Sequence, residues 1–176
     1  MTDPDVGRRT FAAVLNREPT RAEFAKLLER RLHYLYQTVA ESKDYRVLDG
    51  ATDLLAQLLD DGYLLGIVTG NLEAAAHIKL HRARLNRFFS FGGHGSDSTD
   101  RGDLTRTALS RATLVYGKGV SPAQCLTVGD TPHDAEGAHA AGIACVGVAT
   151  GKFSASQLTA GGADFVIASL KEGLPL

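Results

Sequence analysis

The sequence predicts an α/β protein, a doubly wound parallel sheet with helices on both faces. Three observations carry that prediction. From residue 48 onward, short apolar runs alternate with longer stretches of helical periodicity. Runs such as residues 63–68 are apolar throughout, so both faces belong in the interior, as in a parallel sheet. The two clearest runs, ending at Val68 and Val128, pass directly into a glycine-containing polar turn and then a helix.

Residues 1–47 read as helical. Asp3 and Pro4 have the form of an N-cap followed by proline in the first turn. That helix runs through Phe11, Val14 and Leu15 and stops near Pro19. Thr20 and Glu23 form a capping box, in which the threonine hydroxyl serves an orphan backbone donor and the glutamate reaches back. The next helix sets Phe24, Leu27, Leu28, Leu35 and Val39 on one stripe, which Leu32 widens. After a link at residues 45–50, a helix over 52–60 stops at Gly62. Strand 63–68 and a helix over 72–85 follow. A short strand at 87–92 leads to a polar, glycine-rich loop over 92–102, then a helix over 103–116. Ser121 and Gln124 repeat the capping-box spacing before strand 125–128. The loop 129–134 opens a helix that runs to Ala141. Strand 144–148, a short helix at 154–160 and strand 164–167 complete the alternation.

A formal net charge of -1 supplies no basic field for nucleic acid or an anionic membrane surface. The longest apolar runs are too short to span a bilayer, and residues 1–10 carry no apolar core of a secretory leader. Cys125 and Cys145 both lie in apolar, strand-like runs, which reads as buried free thiols in a reducing compartment; a disulfide or metal pair is the alternative. The expectation is a cytoplasmic protein.

In a doubly wound sheet, ligands bind at the carboxyl ends of the strands. That places chemistry at Thr69–Asn71, the loop 92–102 and Gly129–Asp134. Asp130 and Asp134 stand at a strand mouth and a helix entrance, where two carboxylates can serve one hard cation or cap the helix. Thr69, Gly70 and Asn71 offer a hydroxyl, a flexible backbone and an amide ahead of helix amides, which makes a phosphate seat or, again, a cap. Arg101 lies in the polar loop between them, and Lys79 within a helix; each is a basic partner for phosphate or a solvated surface charge. The pair Gly151 and Lys152 lacks phosphate-loop spacing, with Phe153 where a hydroxyl is required. The six histidines form no zinc pattern along the chain, and no nucleophile elbow is present.

Taken together, a parallel strand ending in Thr69-Gly70-Asn71, a basic residue before a helix, and an apolar strand ending in Gly129-Asp130-Thr131 with Asp134 resemble the haloacid dehalogenase superfamily. The wording of residues 66–73 and 128–134 is similar to its phosphoglycolate-phosphatase-like branch. The resemblance implies a Rossmann-like core at 48–176 and part of a helical cap at 1–47. It further implies hydrolysis of a small phosphorylated metabolite through an aspartyl-phosphate. Thr69 and Arg101 would be catalytic, Thr69, Gly70 and Asn71 would bind the phosphoryl group, and Asp130 and Asp134 would hold Mg²⁺.

One part of the pattern is missing. The family's first motif is an apolar strand ending in Asp-x-Asp-Gly-Thr, whose first aspartate attacks phosphorus, and no such segment occurs here. Asp3 and Asp5 imitate it without a strand to present them. Little or no turnover and weak Mg²⁺ binding are therefore expected from this chain. That strand would lie centrally, between those ending at Val68 and Val128, so the two either pair directly or have their slot filled. The absence points to a functional protein with roughly 40 to 50 further residues ahead of Met1. A noncatalytic phosphate- or metal-binding regulatory module is the alternative.

Overall fold

Every strand pairing in the chain is parallel, as the apolar runs require. The computed structural model describes residues 1–176. Strand β1 (Gly66–Thr69) pairs with β2 (Phe91–His94), and β3 (Leu126–Gly129), β4 (Ala144–Val148) and β5 (Phe165–Ile167) pair in that order. Parallel neighbours need crossover connections, and helices supply them. α4 (Glu73–Arg82) joins β1 to β2, and α5 (Arg101–Tyr116) joins β2 to β3. α6 (Pro132–Ala140) and α7 (Ala155–Ala160) complete the series, and α3 (Ala51–Asp60) precedes β1.

The single sheet expected from the sequence is divided in two. β1 and β3 do not pair, and each presents one unpaired edge. Val128 in β3 is 42% exposed, whereas a strand flanked on both sides in a doubly wound sheet is buried. α5 spans the division, packing on β1 and β2 and against α6. β1 also begins later than the apolar run. The Tyr63 amide closes the end of α3 on the Leu58 carbonyl at 2.9 Å, and Tyr63 and Leu64 stay exposed. Local closure of the helix thus takes residues that apolarity assigns to the strand.

The helix of α5 approaches β2 closely because β2 carries glycines. A Cβ on Gly93 would lie 1.9 Å from the Leu104 carbonyl oxygen. α5 turns Leu104, Ala108 and Ala112 inward, the four-residue spacing of one helix face. On the other sheet, Ala135 and Ala138 of α6 bury against Ile143 and Cys145.

Helices α1 (Asp3–Leu15) and α2 (Arg21–Glu41) fill the first part of the chain. The Thr20–Glu23 capping box is present. The N-cap of α1 is Thr2 rather than Asp3. Thr2 and Asp5 form a reciprocal box, which moves Asp3 into the first turn and frees its carboxylate for longer-range contacts. The stripe on α2 lies where expected but is only half-buried. Gly7 of α1 sits against Phe24, Leu27 and Leu28, and α2 also packs on α4. No helix is long and apolar enough to cross a membrane. Both cysteines are free thiols.

Two outcomes are expected. Gly93→Ala should cost about 3 kcal/mol in urea unfolding, because the obstructing atoms are backbone and cannot rotate away. Burial pushes the Cys145 thiol up from 9.0 to about 11. The fold therefore favours the protonated thiol, and this contribution to stability is complete below about pH 9 and lost as pH rises toward 11. At pH 8.5, alkylation of native Cys145 should be much slower than in urea; equal rates would contradict its burial.

Candidate active site

Two clusters form at the carboxyl ends of the strands. The first lies beyond β1. The Thr69 hydroxyl oxygen accepts the Asn71 backbone N–H at 3.1 Å and the Asn71 side-chain amide at 2.8 Å. With both bonds accepted, the hydroxyl proton remains free to donate outward. Lys79, one helical face further along α4, donates its ammonium to the Asn71 amide oxygen at 2.5 Å. Gly70 is buried, and a Cβ there would lie 2.9 Å from the Met1 carbonyl oxygen. The turn therefore needs a residue without a side chain.

The helix amides that would complete a phosphate seat are already engaged. The Leu72 N–H donates to the Asp3 carboxylate at 3.0 Å, and the Glu73 N–H donates to the Ser96 hydroxyl at 2.9 Å. Asp3 was not recognised by sequence as more than a cap. It is buried, its N–H donates to the Gly70 carbonyl at 2.7 Å, and Arg31 of α2 pairs with its second oxygen at 2.6 Å. Both carboxylate oxygens are thereby in use. In the sequence the pair is only an acid near a helix start and an arginine 28 residues downstream, and nothing local connects the two.

The second cluster lies beyond β3. Asp134 accepts the Thr131 N–H and hydroxyl at 3.1 and 2.8 Å through one oxygen, completing a capping box on α6. Its other oxygen stands 3.4 Å from the Arg101 guanidinium. Arg101 is the first residue of α5, with Asp100 as its N-cap, and one of its terminal nitrogens is buried without a partner. Asp130 is exposed and its carboxylate makes no hydrogen bond or ion pair within the chain. It lies over Gly151, where a Cβ would come within 2.3 Å of it. His133 is exposed beside Glu136.

The candidate residues thus form two groups, Thr69, Gly70, Asn71 and Lys79 on one side, Arg101, Asp130 and Asp134 on the other. No hydrogen bond or ion pair joins them; the first group lies beyond β1, Asp130 and Asp134 lie beyond β3, and Arg101 opens α5 after β2. A third grouping has no complete pattern along the chain: Glu73, His77 and His94 converge in space. The Glu73–His77 spacing on one helix was the legible half of it.

Comparison with known proteins identifies the family. A family model described as haloacid dehalogenase-like hydrolase matches residues 9–148. A 5'-nucleotidase of Pseudomonas aeruginosa is 33% identical over 122 residues, covering 65% of this chain and 51% of that protein. A phosphoglycolate phosphatase of Synechococcus elongatus is 32% identical over 122 residues, covering 69% and 55% respectively. The chain spans about half the length of the curated relatives it matches. Among solved structures, a haloacid dehalogenase hydrolase from Entamoeba histolytica superposes with a TM-score of 0.72 at 19% identity, covering 96% of this chain and 75% of that one. CbbY from Rhodobacter sphaeroides, solved in complex with phosphate, gives 0.71 at 18%, covering 94% and 74%. Those two likenesses speak for the fold.

Removing the Asp3 carboxylate should loosen both helices from the β1 turn. Asp3→Ala is expected to cost about 2 kcal/mol, the loss of hydrogen bonds to a charged group, read from the urea midpoint; a change within a few tenths would show that Arg31 and Leu72 find other partners.

Proposed function

This chain belongs to the haloacid dehalogenase-like hydrolase family, and on that premise we propose that it binds phosphate monoesters of small metabolites at the carboxyl end of β1 and hydrolyses them weakly at most. The Thr69–Asn71–Lys79 cluster carries this reading. The free proton of the Thr69 hydroxyl donates to a phosphoryl oxygen. The Lys79 ammonium, already drawn to Asn71, offsets the negative charge of the ester. Arg101, paired with Asp134 and with one buried nitrogen unpaired, is a second basic group, outside the β1 cluster. The names of the curated relatives, 5'-nucleotidase and phosphoglycolate phosphatase, support a small phosphate monoester as the substrate class.

Weak turnover follows from Asp3. It is the carboxylate beside the β1 seat, and its two oxygens are held by Leu72 and Arg31. An attacking carboxylate must turn an oxygen toward phosphorus, and the two Asp3 oxygens are turned to Leu72 and Arg31 instead. The same observation favours a second reading, a noncatalytic phosphate- or metal-binding module. Asp130 suits Mg²⁺, being an exposed carboxylate without a protein partner. Asp134 suits it less, since capping and Arg101 occupy its oxygens. When bound, Mg²⁺ supplies Lewis-acid stabilisation of phosphoryl charge. With so few oxygen ligands from protein it would keep several waters. In this reading residues 1–47 are part of a cap, residues 48–176 are the core, and the two free thiols suit the cytoplasm.

Binding of inorganic phosphate, followed by calorimetry, should weaken about tenfold in Thr69→Ala and in Lys79→Ala, the equivalent of one charged hydrogen bond. Unchanged affinity in both would contradict the seat. Turnover of an aryl phosphate with Mg²⁺ should not exceed that of Thr69→Ala or Asp130→Ala; a clear excess would contradict weak catalysis while leaving the seat standing.

A further inference from the structure

Beside the phosphate cluster, but using none of its side chains, α4 and the end of β2 bring Glu73, His77 and His94 together. One ligand atom from each lies within 4.8 Å of the others. Glu73 and His77 are four residues apart on α4, so their side chains stand one above the other on a single face. His94 is the last residue of β2. A helix and a strand, rather than a loop, therefore hold the set.

Independent observations point to a ligand. His94 is 3% exposed, yet neither of its ring nitrogens has a hydrogen-bond partner. Buried polar groups in folded proteins are almost always satisfied, so such an imidazole calls for an occupant. His77 is already oriented for one. The Asn86 side-chain amide donates to the His77 carbonyl oxygen at 3.1 Å, which turns the Asn86 amide oxygen toward His77 Nδ1 at 3.0 Å. That oxygen only accepts, so Nδ1 carries the proton and Nε2 keeps its lone pair. Metal-ligating histidines are held in this way by a hydrogen bond at the other nitrogen. The Glu73 carboxylate makes no hydrogen bond or ion pair in the chain. All three residues line a cavity of about 310 Å³, together with Phe91, Arg111 and Leu114.

We propose that Glu73, His77 and His94 form a binding site for a divalent transition metal ion, zinc foremost, with a fourth coordination position open to the cavity. Two imidazoles and one carboxylate match the ligand sets of zinc and its neighbours, whereas Mg²⁺ prefers oxygen alone. Ligand atoms around tetrahedral zinc stand about 3.4 Å apart, so the set closes by small rotations of the two exposed α4 side chains. The charge balance also suits a cation. Arg111 is the one cation lining the cavity, and Asp97 pairs with both its terminal nitrogens at 2.8 Å, which leaves Glu73 uncompensated.

Calorimetric titration of the metal-stripped chain with Zn²⁺, and Co²⁺ substitution followed by visible absorption, test the site without reference to catalysis. One saturable ion per chain is expected, with intense Co²⁺ bands and no competition from Mg²⁺. Asn86→Ala should weaken affinity about 10–100-fold through loss of His77 orientation. His77→Ala and Glu73→Gln, both at exposed positions that leave the core intact, should weaken it at least as much. Asp130→Asn should leave zinc binding unchanged, which separates this site from the one proposed for Mg²⁺. Absence of saturable binding, or equal binding in His77→Ala, would overturn the proposal whatever the outcome of the phosphate experiments.

Discussion

The Asp3 carboxylate joins three parts of the molecule that sequence order keeps apart. One oxygen receives the Leu72 amide at the start of α4, and the other receives Arg31 from α2. Its own backbone holds the Gly70 carbonyl. A buried carboxylate is costly unless its lone pairs are filled, so its partners are drawn to it and the helical pair is set against the β1 turn. The shape of the Thr69–Asn71 cluster depends on that docking. The acidic charge beside that cluster is paired with Arg31.

The remainder of the site follows from parallel strands and close helix packing. Each β-α turn points its functional groups to the same end of the sheets. Glycines set how near the elements come, as Gly93 does under α5 and Gly151 under Asp130. Division of the strands into two sheets then sorts the candidates. Thr69, Asn71 and Lys79 gather at the end of β1, while Asp130 and Asp134 gather at the end of β3. α5 carries Arg101 at the boundary, with one nitrogen turned toward Asp134 and one unsatisfied. The β1 end also supports the nitrogen-rich grouping of Glu73, His77 and His94.

What was legible in the sequence was local. The strand over 144–148 and the Thr20–Glu23 cap rest on adjacent residues, and both stand as read. The α2 stripe was legible as periodicity, but its half-burial depends on how much of α1 and α4 covers it. Strand β1 came out shorter because the turn after α3 competes for the same apolar residues. The separation of β1 from β3 depends on edges far apart in the chain, which periodicity does not register. Asp3 looked like a cap because the Thr2–Asp5 box is equally local and only one of the two can win. His94 gave no signal of its own, since its neighbours in space come from another element.

Central to this account is a phosphate seat at the carboxyl end of β1, gripped by Thr69 and Lys79 while Asp3 stays engaged with Arg31. A crystal soaked with tungstate, an electron-dense phosphate analogue, tests it most directly. The anion is expected within hydrogen-bond reach of the Thr69 hydroxyl and the Lys79 ammonium, with the Asp3–Arg31 pair intact. An anion bound only at Arg101 on the β3 side, or one that displaces Asp3 from Leu72, would contradict it.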